Sequence, residues 1–414
     1  MKYEDFTWDF RGSDTKEFTH CFHVYPAMMI PQVARRLLEK YGNSSKVLLD
    51  PYCGSGTSLL EANLRGIDAV GTDLNPLARL IAKAKTTALD IQALDLYLQD
   101  FHNYSFGCQF GAQKVRPESV PQFDNMEFWF NQSAQTKLAS IKQYIDGIHD
   151  AGVKDFFLTA FSETVRESSL TKKGEFKLVR IAGEKRGAFD PDSFGLMIAK
   201  LARNRAGLLR FIERKQNNSS AKVCDFNTVE SVPRGIVPPE SVDIVLTSPP
   251  YGDSRTTVAY GQYSRLANQW MGIKNASGVD KTLMGGAARA ADFDFDSAAL
   301  RKTLKKIGGK DARRGAEVKS FFADYKRSID NVAKCVAKKG VACYVVGNRN
   351  VRGVTVPTDL ITRDFFESNG FRHLETIVRN IPNKRMPSKN SPSNIPGKKS
   401  ETMKHEFIVV CRKH

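Results

Sequence analysis

Two segments of the chain carry polar side chains at spacings that could bind and transform a small molecule. In the first, Asp50-Pro-Tyr-Cys-Gly-Ser-Gly-Thr57, a carboxylate precedes two glycines. Gly54 and Gly56 let the backbone turn sharply and approach a ligand without a Cβ clash. Asp73 follows near the ~20-residue spacing at which a carboxylate accepts hydrogen bonds from both hydroxyls of a ribose. The sequence therefore predicts a turn that binds a ribose-containing ligand.

Two common phosphate-binding patterns do not match this turn. Position 59 is leucine, so the GxGxxG pattern of nicotinamide enzymes is incomplete. No lysine follows the glycine pair, which excludes a P-loop. A tight turn between a strand and a helix, without any ligand, remains the alternative interpretation.

The second segment is Ser248-Pro249-Pro250-Tyr251, which follows the apolar run 242–247. An apolar run of this length predicts a buried strand, and ligands of open α/β sheets bind at the carboxyl ends of strands. Two prolines fix φ and donate no hydrogen bond, so the loop is rigid and its carbonyl oxygens are free. These acceptors can hold both hydrogens of an NH2 group and favour a pyramidal nitrogen. The lone pair of this nitrogen is then available to attack a donor group in line, so that the group is transferred directly to the nitrogen. Such a transfer needs neither a metal nor a covalent nucleophile.

The elements around the first segment predict how it is positioned. Residues 46–50 read as a buried strand, residues 57–65 as a helix and residues 68–73 as the next strand. Asn75 is a capping residue and Pro76 a first helical residue, so a second helix begins there. The alternation predicts an α/β fold with a doubly wound, Rossmann-like sheet.

The rest of the chain predicts three parts: a cofactor-binding half at 1–85, a mostly helical basic insert at 86–220, and a catalytic half at 221–414. Further elements are predicted as strands at 221–225, 242–248 and 341–347, helices at 321–339 and 358–369, an irregular basic insert at 272–319, and a terminal hairpin of strands 371–381 and 406–412 that adds antiparallel strands.

The amino-acid composition limits the classes of protein to which the chain can belong. Lys and Arg number 62 against 45 Asp and Glu, so the net charge is +17, which favours a polyanionic partner. Seven cysteines at irregular spacing predict neither a disulfide framework nor a paired zinc site. His20 and His23 near Cys21 lack a second pair of ligands, so we predict no metal. The acidic start and the lack of any run of ~18 apolar residues predict a cytoplasmic protein without a membrane segment.

The motifs resemble those of amino-group DNA methyltransferases, over about half of the chain. Asp50-Pro-Tyr-Cys-Gly-Ser-Gly resembles the family's cofactor motif, with Tyr52 where many members have Phe, and Gly71-Thr-Asp-Leu-Asn-Pro76 resembles its ribose-binding segment. His20-Cys-Phe-His-Val-Tyr-Pro-Ala27 resembles the segment folded over the methionine part of S-adenosylmethionine, an end of the cofactor that the Asp50 carboxylate suits better than a phosphate.

The resemblance implies S-adenosylmethionine as the cofactor and assigns a site. The implied cofactor-binding residues are Tyr25, Asp50, Tyr52, Gly54, Gly56, Asp73, Asn75 and Asp225, the last near the adenine amino group. The implied catalytic residues are Ser248, Pro249, Pro250 and Tyr251, with the tyrosine ring as a flat face for a base flipped out of the duplex.

The sequence does not decide which base is modified, cytosine or adenine. Serine at the first position of the catalytic motif is typical of N4-cytosine enzymes, whereas Asp or Asn is commoner among N6-adenine enzymes. A Ser248 hydroxyl could accept one amino hydrogen and donate its own proton to a ring nitrogen, which permits cytosine without requiring it. The family implies double-stranded DNA as partner and leaves open a cognate restriction endonuclease.

Rival functions remain as alternatives. RNA guanine-amino methyltransferases usually carry Asp-Pro-Pro-Tyr and an amino-terminal RNA-binding module, for which about 18 residues leave no room. Protein glutamine methyltransferases carry Asn-Pro-Pro-Tyr. The 5-methylcytosine reaction needs a Pro-Cys nucleophile, and the chain has no Pro-Cys. A DNA-binding protein with an inactive methyltransferase fold is the non-enzymatic alternative. After the catalytic loop, Asp253, Arg255 and Tyr260 could shape a base pocket or simply pack there.

Overall fold

The computed structural model describes residues 1–111, 120–216, 219–252, 258–286, 295–381, 389–390, 400–401 and 403–414. Its strands are β1 (Lys2–Glu4), β2 (Val47–Asp50), β3 (Asp68–Thr72), β4 (Ala221–Cys224), β5 (Val242–Thr247), β6 (Val336–Val346), β7 (Asn350–Val351), β8 (Val354–Thr355), β9 (Phe371–Asn380), β10 (Lys389–Asn390), β11 (Ser400–Glu401) and β12 (His405–Lys413).

Eight strands form one sheet in the order β1-β9-β12-β6-β5-β2-β3-β4. Strands β2 to β6 pair in parallel, and β12 runs antiparallel to both of its neighbours, β6 and β9. From β2 the chain moves outward to β3 and β4, and it then returns to β5 on the other side of β2. This reversal between β2 and β5 is a topological switch point, where open α/β sheets bind ligands.

The helices are α1 (Pro31–Tyr41), α2 (Thr57–Asn63), α3 (Pro76–Thr86), α4 (Ile91–Gln109), α5 (Met126–Trp129), α6 (Gln132–Asp146), α7 (Ala151–Glu167), α8 (Gly183–Arg186), α9 (Ser193–Arg214), α10 (Tyr260–Trp270), α11 (Val279–Thr282), α12 (Ala298–Gly308), α13 (Ala312–Cys335) and α14 (Thr358–Glu367). The predicted start of α3 is confirmed, because the Asn75 side chain accepts a hydrogen bond from the Leu77 amide at 3.2 Å. The mostly helical pattern of the insert is also observed, as α4 to α9.

Alternation along β5 shows how the sheet is covered on both faces. Ile244 and Leu246 belong to one apolar cluster with Leu37 and Leu59, from helices α1 and α2. Val245 belongs to the opposite cluster, with Phe321 of α13 and other residues of the catalytic half. A sheet that is buried on both faces is expected where strands run in parallel.

The insert has a third apolar cluster, and residues outside 86–220 complete it. Phe157 and Phe161 of α7 lie in this cluster together with Phe22 from the amino-terminal part and Trp270 from α10. All four side chains are at most 1% exposed. The insert therefore packs as part of one continuous interior.

The prediction of an irregular stretch over 272–319 is wrong for its second half. Residues 298–308 form α12, and α13 begins at Ala312 instead of 321. Side-chain caps start both helices, because Ser297 accepts from the Leu300 amide and Asp311 from the Arg314 amide. Helix α13 ends at Cys335 instead of 339, since the chain enters β6 at Val336 and pairs there with Val242.

The predicted terminal hairpin is present as β9 and β12, although only β12 opposes the direction of the parallel strands. Strand β1, which pairs in parallel with β9, was not predicted because three residues carry no clear period. No helix in the described part of the chain combines the length and the apolar character that crossing a membrane requires.

Candidate active site

A cleft opens at the carboxyl ends of β2, β3 and β5, beside the switch point. Its lining includes eight of the predicted site residues: Tyr25, Asp50, Tyr52, Gly54, Asp73, Asn75, Ser248 and Pro250. Residues that the sequence did not single out also line it, among them Met28, Phe226, Asn227, Val229 and Met284. Both predicted segments therefore meet at one cleft, although 190 or more residues separate them.

The glycine-rich turn after β2 has two glycines with different tasks. Gly54 and Gly56 both have positive φ, +49° and +78°, which favours glycine. A Cβ on Gly56 would lie 2.9 Å from the Ala82 backbone, so this glycine allows close packing against α3. A Cβ on Gly54 would meet no atom within 4 Å. Gly54 therefore leaves backbone open to the cleft.

Asp73, just after β3, is fixed by backbone amides. Its Oδ2 accepts a hydrogen bond from the Gly54 amide at 3.0 Å, and its Oδ1 accepts one from the Asn75 amide at 2.8 Å. Burial raises the pKa of this carboxyl from its ordinary value. A carboxylate offers about four lone-pair positions, so two remain for ligand hydroxyls.

Asp50 ties three elements together at the end of β2. Its Oδ1 accepts from the Thr247 hydroxyl of β5 at 2.5 Å and from the Tyr52 amide at 3.0 Å. Its Oδ2 accepts from the Ser58 hydroxyl of α2. The side chain is buried, and burial raises its pKa to about 6. One lone-pair position at Oδ2 remains for a donor in the cleft.

Aromatic side chains form the opposite wall. The buried Tyr25 ring stacks on Tyr260 with ring centroids 5.9 Å apart, and its hydroxyl accepts from the Asn75 amide group at 2.9 Å. His20 contacts Glu61 at 3.1 Å and His23 contacts the Ser162 hydroxyl at 3.0 Å. Burial lowers the pKa of both histidines to about 4. These contacts hold the segment 20–27 over the cleft.

The loop after β5 is tied to the last strand of the sheet. The Ser248 and Tyr251 hydroxyls lie 3.3 Å apart, and the Tyr251 hydroxyl donates to Glu406 Oε1 at 3.0 Å. Arg379 of β9 forms an ion pair with the same Glu406. Burial raises the pKa of Tyr251 well above its ordinary value, so the hydroxyl stays protonated. Sequence reasoning missed Glu406 and Arg379, since neither belongs to a motif.

Four predicted residues lie outside the lining of the cleft. Gly56 and Pro249 adjoin lining residues, and Tyr251 points its hydroxyl towards β12. Asp225 is exposed just after β4, whereas its neighbours Phe226 and Asn227 line the cleft.

Three more polar residues follow strands near the cleft. The structure describes the contacts of one of them and does not describe the other two. Asn348, shortly after β6, donates from its amide group to Asp359 of α14 at 2.8 Å and accepts from the Asp359 backbone amide at 3.2 Å. Asp253 and Arg255 lie outside the described residues. Within the described part of the chain, no group of three or more residues could hold a metal ion.

A basic hairpin of the insert lies beside the cleft. We use this name for residues 170–181, in which the Lys172 amide donates to the Val179 carbonyl at 2.7 Å and the Ile181 amide to the Leu170 carbonyl at 2.9 Å. Phe176 packs edge-on against Tyr263 of α10, and Tyr263 packs in turn against Tyr25. The hairpin's exposed lysines are Lys172, Lys173 and Lys177. Their charge is therefore held near the mouth of the cleft.

Comparison with known proteins identifies one relative along nearly the whole chain. The type II methyltransferase M.MvaI of Kocuria varians is 37% identical over 429 aligned residues, which cover 98% of this chain and 93% of that protein. The type II methyltransferase M.MjaII of Methanocaldococcus jannaschii is 37% identical over 113 residues, which cover 27% of this chain and 21% of that protein. No family model matches the chain.

A solved structure, the rRNA methyltransferase aviRa from Streptomyces viridochromogenes, aligns with 94% of this chain and 88% of its own, at 12% identity and a TM-score of 0.34. A likeness of that size carries no further argument.

Proposed function

The chain belongs to the type II DNA methyltransferases, and from this premise we propose that it transfers a methyl group from S-adenosylmethionine to the exocyclic amino group of a base in DNA. The observation that carries the proposal is the single cleft that Asp50, Asp73 and Ser248 share at the switch point. A cofactor turn and an acceptor loop within one cleft suit a transfer between two bound molecules.

The cofactor site is supported by donor and acceptor chemistry of the described residues. Asp73 keeps two acceptor positions for ribose hydroxyls, and Gly54 leaves the backbone beside it uncovered. Asp50 keeps one acceptor position for an ammonium group. Apolar side chains of Phe226, Val229 and Met284 provide surface for a purine. S-adenosylmethionine, when bound, would supply a methyl group on a positively charged sulfur, which keeps the electron pair of the methyl–sulfur bond and leaves as a neutral thioether. The amino nitrogen gains the methyl group and loses one of its two protons.

Five further predicted residues belong to the proposed cofactor site in supporting positions. Tyr25 and Asn75 form one wall, Tyr52 lines the cleft, and Gly56 allows the turn to pack. Tyr52 is held by its hydroxyl, which donates to Ser328 at 2.5 Å. Asp225 is retained as a contact to the cofactor's adenine amino group, although it is exposed and outside the described lining.

In the proposed mechanism the chain positions the amino group of the base. Ser248 accepts one amino hydrogen, and a carbonyl of the loop at Pro249 and Pro250 accepts the other, while the Tyr251 ring stacks on the flipped base. Holding both hydrogens weakens conjugation of the nitrogen with the ring and directs its lone pair. The rate then depends on orientation and on preorganised dipoles.

We propose cytosine N4 as the methylated atom, with adenine N6 as the runner-up. Support for cytosine comes from Ser248, because serine at this position is typical of N4-cytosine enzymes. We also propose a restriction-modification context, in which a partner nuclease cleaves the same site when it lacks the methyl group. The name type II methyltransferase, carried by both relatives, supports this context.

The test is methylation of double-stranded DNA with radiolabelled cofactor, followed by digestion to nucleosides and mass analysis. We expect one dominant product, N4-methylcytosine. A dominant N6-methyladenine peak would overturn the base assignment alone. No label in DNA under any condition, from a folded protein that binds the cofactor, would overturn the proposed activity.

A further inference from the structure

The hydrogen bonds of the catalytic loop continue beyond it into the last two strands. Ser248, Tyr251, Glu406 and Arg379 form a chain of consecutive contacts. We infer that Glu406 is a positioning residue that acts through Tyr251 and sets the direction of the Ser248 hydroxyl. This inference rests on the proposed amino methylation and assigns to Glu406 a task that no motif indicates.

The direction of each hydrogen bond follows from what the groups can do. An ionised carboxylate accepts hydrogen bonds and donates none, so the Tyr251 hydroxyl must donate its proton to Glu406. A tyrosine hydroxyl has one proton, so at the contact with Ser248 the tyrosine oxygen is the acceptor. Ser248 therefore donates to Tyr251. The 3.3 Å separation is long, as catalytic contacts often are before the substrate binds.

Arg379 holds the Glu406 carboxylate in place. Arg379 and Glu406 are directly opposed across β9 and β12, and both side chains are largely buried, at 5% and 18% exposure. The arginine Nε also donates to the Trp8 carbonyl at 2.8 Å, so it cannot swing away freely. The ion pair with Glu406 and the hydrogen bond to Trp8 together fix the position of the carboxylate.

The consequence concerns the reacting nitrogen. With its proton directed to Tyr251, the Ser248 oxygen presents lone pairs to the cleft, where an amino hydrogen needs an acceptor. In this arrangement the serine proton is not available for a ring nitrogen of the base. The hydroxyl then serves as an acceptor only, so it does not by itself distinguish cytosine from adenine.

The test is a double-mutant cycle on kcat with the full-length protein, using Glu406→Gln, Tyr251→Phe and the double variant. A carboxamide can donate as well as accept, so Glu406→Gln no longer dictates the direction of the tyrosine proton. We expect each single variant to lower kcat by on the order of tenfold to a hundredfold, the scale of a misplaced catalytic group. The KM for S-adenosylmethionine should stay within about twofold of wild type, since neither Tyr251 nor Glu406 lines the cleft.

The decisive comparison is the double variant. If Glu406 acts through the tyrosine hydroxyl, adding Glu406→Gln to Tyr251→Phe should cost less than about twofold more. If the two substitutions instead lower kcat by independent factors that multiply in the double variant, Glu406 has a general structural role and the inference is overturned. Should Glu406→Gln not fold, full activity of Tyr251→Phe would overturn it equally, because the tyrosine hydroxyl is the required link.

Glu375→Gln is the matched control. Glu375 lies on β9 four residues before Arg379 and also accepts from tyrosine hydroxyls and a lysine, at Tyr3, Tyr41 and Lys40. None of these residues lines the cleft. We expect the kcat of the Glu375→Gln variant to match that of the wild type. Failure of wild-type protein to methylate DNA would instead count against the proposed function, before any variant is compared.

Discussion

Asp50 and Asp73 are two carboxyls at the ends of neighbouring strands, and their partners give them different tasks. Asp73 accepts hydrogen bonds from the backbone amides of Gly54, in the turn after β2, and of Asn75, in its own turn, and keeps acceptor positions for a ligand. Asp50 is bonded to hydroxyls of α2 and β5 and links the cofactor turn to the strand that carries Ser248. At the residue scale, each carboxyl therefore yields a separate prediction.

Replacing Asp73 by alanine should weaken S-adenosylmethionine by roughly 1–3 kcal/mol, the scale for losing hydrogen bonds to a charged group. Calorimetric titration measures the change. Asp68→Ala is the matched control on the same strand, because Asp68 lies at the opposite end of β3 and contacts Ser220. Affinity as strong in Asp73→Ala as in Asp68→Ala would remove Asp73 from the site.

Cofactor affinity should fall as the pH is lowered from 7 to 5. In the proposed cofactor site the ionised form of Asp50 accepts from the ligand, and burial raises the pKa of this carboxyl to about 6. At pH 5 only about one-tenth of the carboxyl is ionised, so affinity should drop on the order of tenfold. His20 and His23, with pKa values near 4, stay neutral across this interval.

Asp50→Asn separates this effect from other titrations, including that of Asp73, whose pKa is also raised by burial. The variant should bind the cofactor weakly and with little dependence on pH between 5 and 7. A pH profile in Asp50→Asn as steep as that of wild type would assign the titration to another group.

Ser248→Ala should slow methyl transfer by roughly a hundredfold or more, since one preorganised acceptor of the amino group is lost. Cofactor affinity should stay at the wild-type value. Ser241→Ala is the control. Ser241 immediately precedes the amino-terminal end of β5, at the opposite end of the strand from Ser248, and donates to the Pro238 carbonyl at 2.6 Å. Full turnover by Ser248→Ala would refute the catalytic assignment of the loop.

At the scale of elements, the basic hairpin and α10 form a unit beside the cleft. Arg166 of α7 lies over the Tyr263 ring at 4.3 Å, and the Leu178 amide of the hairpin donates to Gln262 at 3.4 Å. The hairpin is therefore anchored next to the stacked Tyr25 and Tyr260. We expect its exposed lysines to contact the phosphate backbone of bound DNA.

Changing Lys172, Lys173 and Lys177 together to glutamine should reduce the salt dependence of DNA binding. Each lost phosphate contact lowers the slope of log K against log salt by about 0.9. The matched control changes Lys302, Lys305 and Lys306 of α12, which are exposed and carry the same charge. If the salt dependence changes only in the α12 variant, the phosphate contacts lie on residues 299–327 instead.

At the scale of the whole molecule, the apolar cluster around Phe157 joins the insert to both halves of the catalytic domain. Phe22, Leu60 and Trp270, from outside the insert, lie in the same cluster. Cooperative unfolding is expected when units share a buried core, because neither surface is stable when exposed. The insert should therefore not unfold independently of the cofactor site.

Phe157→Ala should lower the free energy of unfolding by about 3–5 kcal/mol, as large cavities in cores do. Circular dichroism and cofactor binding, followed against temperature, should show the loss of both signals in one transition. Leu96→Ala is the control, since Leu96 of α4 is 70% exposed. Helical signal lost from a protein that still binds the cofactor would identify the insert as a separate domain.

Sequence alone determined the features that depend on neighbouring residues. The turn at Gly54 and Gly56, the cap at Asn75 and the rigid loop at Ser248 are local, because backbone conformation, capping and proline restriction act within a few residues. The order of strands and helices around them predicted the α/β fold and, through it, the position of the catalytic loop at the carboxyl end of a strand.

Tertiary structure alone decided the contacts between residues that are far apart in the chain. Glu406 reaches Tyr251 across 155 residues, and nothing near either residue predicts the pairing of β12 with β6 that brings them together. The sharing of the insert's core with Trp270 and the exposure of Asp225 depend likewise on packing. Long-range strand register and side-chain burial are properties of the whole fold, so a local pattern cannot specify them.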